Sequence, residues 1–246
     1  MQKGKLEPEQ SVQVESVKPM SAVSGVLKVL FQPREVFASV QSKANWLLPL
    51  IILIILTLIA TVVLYPTIKT EVLNNIANNP DISDEQRAQV VEQVSGSLTL
   101  PAIMIPGLLY EILAFFVIAA VFFFVASIMF GAEGKFVQMI SVTGLSLMVS
   151  IPETVIKLPL MLARQTMKVH TDLALFLPLS MEKSFIYSLL GHIDIFSIWK
   201  VYLIGLGMAV VYKFAPKKAL TASFVVWGIY VLLASVLGRF LNFGMG

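Results

Sequence analysis

The sequence predicts an all-α polytopic membrane protein with five transmembrane helices, an amphipathic N-terminal segment and an outer helical hairpin. Composition is the first observation behind this. Hydrophobic residues make up 57% of the chain and charged residues only 13%, whereas an ordinary soluble domain is roughly a quarter charged. The second is grouping: the apolar residues fall into blocks, and a helix needs about 20 residues to cross the hydrocarbon core. The stretch from Leu47 to Leu64 reads as one apolar run, not as the alternation in segments of about ten that a transmembrane barrel requires. The bilayer is therefore the first partner the sequence implies.

The elements follow in order. Residues 1–22, rich in Lys, Glu, Gln, Ser and Val with Pro8 and Pro19, read as a disordered cytoplasmic tail. Residues 23–45 are amphipathic: Val23, Val26, Leu27 and Leu30 recur at helical spacing, and Pro33 opens a second helix with Val36, Phe37 and Val40 on one face. With Lys28, Arg34 and Lys43 alongside, this segment either lies in the headgroup layer or packs under the bundle as a cytoplasmic cap. Residues 46–246 form the transmembrane domain. Its spans run from about Trp46 to Tyr65, Ile105 to Phe130, Phe136 to Leu162, Ile193 to Tyr212 and Leu220 to Leu241.

The connection between the first two spans is too long to be structureless. Ile68, Val72, Leu73 and Ile76 form one stripe, Asn78-Asn79-Pro80-Asp81 breaks it, and Ser83-Asp84-Glu85-Gln86 fits a capping box before Val90, Val91 and Val94. A helical hairpin over about 67–100 is expected, serving as a lid on the outer helix ends or as a binding platform. In the third span Pro152 and Pro159 should bend the helix and free backbone carbonyls. Gly205, Gly207 and Ala209 give the fourth span a small-residue face for close helix contact.

Lys and Arg set the orientation. The tail carries Lys3, Lys5, Lys18, Lys28, Arg34 and Lys43, and the turns before spans three and five carry Lys135 and then Lys213, Lys217 and Lys218. The positive-inside rule puts these segments in the cytoplasm and, with five crossings, the C-terminus outside. The net charge of +3 is explained by this asymmetry and gives no reason to expect nucleic acid. The first apolar run is too long for a signal-peptide core and is read as a retained helix. The chain has no cysteine, which excludes disulfides, thiolate catalysis and Cys-based zinc sites.

Ionisable residues within the spans carry whatever chemistry exists. Glu111 lies in span two, Glu153 and Lys157 in span three, and His192, Asp194 and Lys200 at the start of span four. Counting 1.5 Å per residue places all six in the outer half of the bilayer. Glu153 and Lys157 are four residues apart, the spacing that lets a carboxylate reach an ammonium. A charge at this depth costs on the order of 3 kcal/mol. Glu111, Glu153, Lys157, Asp194 and Lys200 are thus expected to form one buried polar cluster, which either serves a ligand or neutralises itself and pins helix packing. A sharper version gathers His192, Asp194, Glu111 and Glu153 around a divalent metal, although no short ligand motif such as His-Glu-x-x-His is present. Otherwise no cofactor is expected. Neither a Gly-x-Ser-x-Gly elbow nor a phosphate-cradling loop is present, so no catalytic residue is assigned.

Several motifs together resemble a known family. They are Phe31-Gln32-Pro33-Arg34-Glu35-Val36-Phe37 ahead of Trp46-Leu47-Leu48-Pro49, the turn Phe130-Gly131-Ala132-Glu133-Gly134 followed by Phe136 and Gln138, and Ile151-Pro152. The most specific is Asp194-Ile195-Phe196-Ser197-Ile198-Trp199 leading to Gly205 and Gly207, and Lys217-Lys218 before a last span adds to it. Over roughly Leu27 to Leu237 the chain resembles the Yip-domain family, five-span membrane proteins named for eukaryotic relatives that interact with Ypt/Rab GTPases. The outer hairpin looks like prokaryotic members, so the resemblance implies a prokaryotic plasma (inner) membrane, and GTPase binding is not carried over. The functions it leaves open are a non-enzymatic membrane-organising or partner-binding protein with an unknown protein partner, a carrier or channel for an ion, small solute or lipid, and a metal-dependent intramembrane enzyme.

Overall fold

The computed structural model describes residues 20–79, 82–182 and 184–243. The expected disordered tail lies outside the described residues up to position 19. From there the chain is helical, and the one β-bridge among the described residues pairs Asp172 with Asp194. Two short helices come first, α1 (Ala22–Lys28) and α2 (Pro33–Ser42). Ser21 caps α1 by accepting the Ser24 N–H at 3.2 Å, and Pro33 opens α2 where a helix has no use for an N–H.

Helix α3 (Leu47–Ala77) passes Pro66 without a break, so it continues well beyond the Tyr65 boundary expected for span one. Helix α4 (Asp84–Ser97) then turns back against it. Ser83 accepts the Gln86 N–H at 3.4 Å, and Arg87 bonds Asp84 at 2.6 Å. Helix α5 (Leu100–Phe123) ends in a π turn, Phe124–Met129. Helices α6 (Phe136–Ser146) and α7 (Ser150–Arg164) form one rod interrupted by a 3-10 turn at Leu147–Val149. The proline signal explains the interruption: the Pro152 ring would clash with the Met148 carbonyl in a regular α-helix. After α8 (Phe185–Gly191) come α9 (Ile195–Val211) and α10 (Pro216–Phe243).

Among the described residues, four helical rods are long and apolar enough to cross a membrane: Leu47–Ala77, Leu100–Met129, Phe136–Arg164 and Pro216–Leu237. Helix α9 is shorter, at 17 residues, yet it is the hub of the core. It packs on α10, α2 and α6, and Leu203, Ile204, Leu206, Met208 and Ala209 are all buried. Its glycines make this approach possible. A Cβ at Gly205 would collide with Ser223 of α10, and one at Gly207 would collide with Val142 of α6 and press on Phe37 of α2. Helix α2 turns Val36, Phe37 and Val40 inward, while Val23, Leu27 and Phe31 stay exposed around α1. The inward face of α2 packs on α9 and α6.

Contacts sort the helix ends into two groups. At one end the Gln41 amide donates to the Val210 carbonyl at 2.6 Å, the Tyr212 hydroxyl to the Lys135 carbonyl at 3.2 Å, and the Phe130 and Phe214 rings meet edge-on. At the other, the Tyr65 hydroxyl donates to the Leu98 carbonyl at 2.8 Å, and the Glu71 carboxylate accepts the Met167 N–H at 2.7 Å. There too the Leu173 N–H bonds the Ile193 carbonyl at 3.1 Å. The polar cluster lies toward this second end.

Candidate functional site

Asp194 sits just ahead of α9 for a local reason. A helix N-terminus leaves backbone N–H groups without partners, and Asp194 accepts one of them, from Ser197, at 2.7 Å. Its charge therefore stands at the positive end of the α9 dipole and not inside the apolar helix. Behind it, the β-bridge to Asp172 anchors the approach. Glu153 and Lys157 project from the first turns of α7, directly after the turn that Pro152 imposes, and Lys200 comes from α9.

These four side chains form one continuous network. Lys157 Nζ lies 2.6 Å from Glu153 Oε1 and 3.2 Å from Asp194 Oδ2. Lys200 Nζ lies 2.5 Å from Glu153 Oε2. Glu153 thus bridges both lysines, and the sequence Asp194–Lys157–Glu153–Lys200 alternates in sign and sums to zero charge. The four side chains are 9–22% exposed, so the pairs are only thinly screened by solvent. Lys157 also stands 5.6 Å from the Phe196 ring centre.

Glu111 stands apart from this network. Its Oε2 accepts the Thr57 hydroxyl at 3.3 Å, and among the described residues it has no ion pair. It shares with Glu153 a cavity of about 190 Å³ that also exposes Thr57, Ser150 and Thr154. His192 is turned elsewhere, with Nδ1 2.7 Å from the Ser188 carbonyl and its ring against Tyr230. The expected metal set of His192, Asp194, Glu111 and Glu153 is not gathered. Among the described residues no three His, Asp or Glu side chains stand close enough to hold a metal ion.

A second polar chain was not legible in the sequence. In the loop between α7 and α8, His170 Nδ1 lies 3.2 Å from Asp172 Oδ2 and its Nε2 lies 2.9 Å from the Tyr187 hydroxyl. A carboxylate only accepts, so in the neutral ring Nδ1 carries the proton and Nε2 receives that of Tyr187. Asp172 also caps the next turn through the Ala174 N–H at 2.9 Å. Asp172 thereby holds both this loop and, through the β-bridge, the segment at Asp194. In the same loop the Glu182 carboxylate, 2.5 Å from Lys168, holds that ammonium protonated above the usual lysine range. The loop conformation that brings these partners together follows no sequence motif.

Residues 27–237 match the family model described as the Yip1 domain. Neither a curated protein nor a solved structure matches the chain. The matched range covers most of the 246 residues and includes α2, the Asp194 segment, both core glycines of α9 and the Lys217-Lys218 turn. The chain is a multi-pass membrane protein and belongs to the Yip1 domain family.

Proposed function

We propose that this protein is a non-enzymatic, membrane-organising Yip1-domain protein whose polar network holds its helices together and serves no substrate. The observation that carries this reading is the charge balance of the network. Two carboxylates and two ammoniums on α7 and α9 neutralise one another in one alternating chain, so the cost of placing each ion at membrane depth is met by its neighbours. A protein partner is part of this reading. The test is flux in liposomes. Wild type and Glu153→Gln should both show proton, Na⁺ and K⁺ permeation at the level of empty vesicles, and only the variant's stability should fall. A wild-type flux that Glu153→Gln abolishes at unchanged stability would overturn the reading.

The same reading takes α9 as a fifth crossing. Its 17 residues stand at the short end of the range of roughly 17–25 that spans a bilayer, and such a deficit is absorbed by local thinning or by snorkelling of flanking residues. The N-terminal segment is then cytoplasmic, the α3–α4 hairpin and the C-terminus are outside, and the membrane is a prokaryotic plasma membrane. The distribution of Lys135, Lys213, Lys217 and Lys218 supports this orientation.

A carrier is the second reading, favoured by one observation. The cavity at Glu111 presents a carboxylate with no ion pair among the described residues beside three hydroxyls, a donor set suited to a hard cation or a polar solute. On this reading Glu111→Gln would remove a wild-type flux without loss of stability, and the absence of any flux in wild type would dismiss it.

A further inference from the structure

A groove on the opposite end of the molecule is built differently from the polar cluster. It has a volume of about 700 Å³ and runs between the π turn at the end of α5 and the first half of α10. Val125, Met129 and Phe130 form one wall, and Ala222, Val225, Val226 and Ile229 form the other. Thr221, Lys217 and Lys218 stand toward its mouth.

Three features of the groove specify its occupant. From Lys218 to Ile229 the α10 wall climbs 11 helical steps, or about 16 Å at 1.5 Å per residue, which is close to one leaflet of a hydrocarbon core about 30 Å thick. The lining is almost wholly carbon apart from Thr221 and the two lysines. At the mouth the charge is uncompensated: among the described residues neither Lys217 nor Lys218 forms an ion pair. Lys218 Nζ is held 4.1 Å from the Phe130 ring centre and 5.4 Å from that of Phe214, which fixes an ammonium at the rim.

We propose that this groove binds one anionic phospholipid of the surrounding leaflet, its acyl chain lying along α10 and its phosphate at Lys217, Lys218 and Thr221. The length and apolar lining select a chain, and the two ammoniums, without an ion pair among the described residues, select an anionic headgroup over a zwitterionic one. This site is separate from the network on α7 and α9 and goes beyond the function proposed above.

Native mass spectrometry of the full-length protein in mild detergent tests it, with phosphatidylglycerol and phosphatidylcholine titrated separately. One phosphatidylglycerol should bind in clear preference to phosphatidylcholine. Replacing Lys217 and Lys218 together by Gln should weaken phosphatidylglycerol about 25-fold, about fivefold for each lysine at an anionic surface, and arginine at both positions should restore it. Val225→Phe, which fills the groove from its lipid-facing wall, should weaken both lipids whatever their charge. Free glycerol phosphate should not compete, because it has no acyl chain. Equal binding of the two lipids, an unaffected Lys217→Gln/Lys218→Gln variant, the same loss on neutralising Lys28 and Arg34, or full competition by glycerol phosphate would each overturn the proposal.

Discussion

Glu153 is the member of the polar network whose removal should cost most, because it alone touches both lysines, Lys157 at 2.6 Å and Lys200 at 2.5 Å. Glu153→Gln keeps the shape but leaves two ammoniums to share Asp194, which reaches only Lys157. Breaking a fully buried pair costs about 3–5 kcal/mol and an exposed one about 0–1. With side chains about one-fifth exposed, the expected loss is about 2–3 kcal/mol. Lys200→Gln leaves Glu153 still paired with Lys157, so its loss should be about half as large. Because the two residues interact directly, the double variant should cost less than the sum of the singles by about 1–2 kcal/mol. Equilibrium unfolding in mixed micelles measures all three. Glu111→Gln is the control, since Glu111 has no ion pair among the described residues, and it should leave stability unchanged or slightly higher. A coupling near zero, or a Lys200→Gln loss exceeding that of Glu153→Gln, would refute the bridging role.

Three further outcomes follow from the packing, the cap and the topology. Gly207→Ala should destabilise by about 1–3 kcal/mol, the usual cost of overpacking, because its Cβ meets Val142 and Phe37 at once; wild-type stability in thermal unfolding would contradict the α2–α6–α9 packing. Asp194→Asn should retain the α9 cap and lose only the Lys157 pair, whereas Asp194→Ala loses both, so Ala should be the less stable by about 1 kcal/mol, and equal stabilities would remove the capping role. The natural absence of cysteine makes single-cysteine labelling direct: with Ser180 and Ala215, both exposed, each replaced by Cys in turn, a membrane-impermeant thiol reagent should reach Ser180→Cys from outside and Ala215→Cys only from the cytoplasm, while labelling of both from one side would eliminate α9 as a crossing.

The i,i+4 pair Glu153–Lys157 was readable because helical spacing alone brings such side chains together, and the structure contains it. The reach of Lys200 to the same carboxylate was anticipated only as shared depth, since depth along a helix does not say which face a residue occupies. Asp194 read as a charge in an apolar helix, whereas it is the cap before one. Capping depends on where the helix starts, a boundary that hydropathy does not resolve to the residue. Glu71, one charge on the predicted hairpin helix, receives the N–H of Met167 across a sequence separation of 96 residues. No local pattern encodes a contact of that kind.

The sequence by itself determined that the protein is helical and membrane-embedded, because lipid leaves the backbone few ways to satisfy its hydrogen bonds and the apolar blocks have the length those ways require. It also carried the family's motifs and placed ionisable residues within or beside the apolar blocks. The tertiary structure alone decided that α9, shorter than the four long apolar rods, is the hub, that Glu111 stays outside the ion network, and that His192 turns away from it. These outcomes depend on helix rotation and close packing, which are set by which faces meet, as at Gly205 and Gly207. Hydropathy counts how much of a helix is apolar and carries no record of its neighbours.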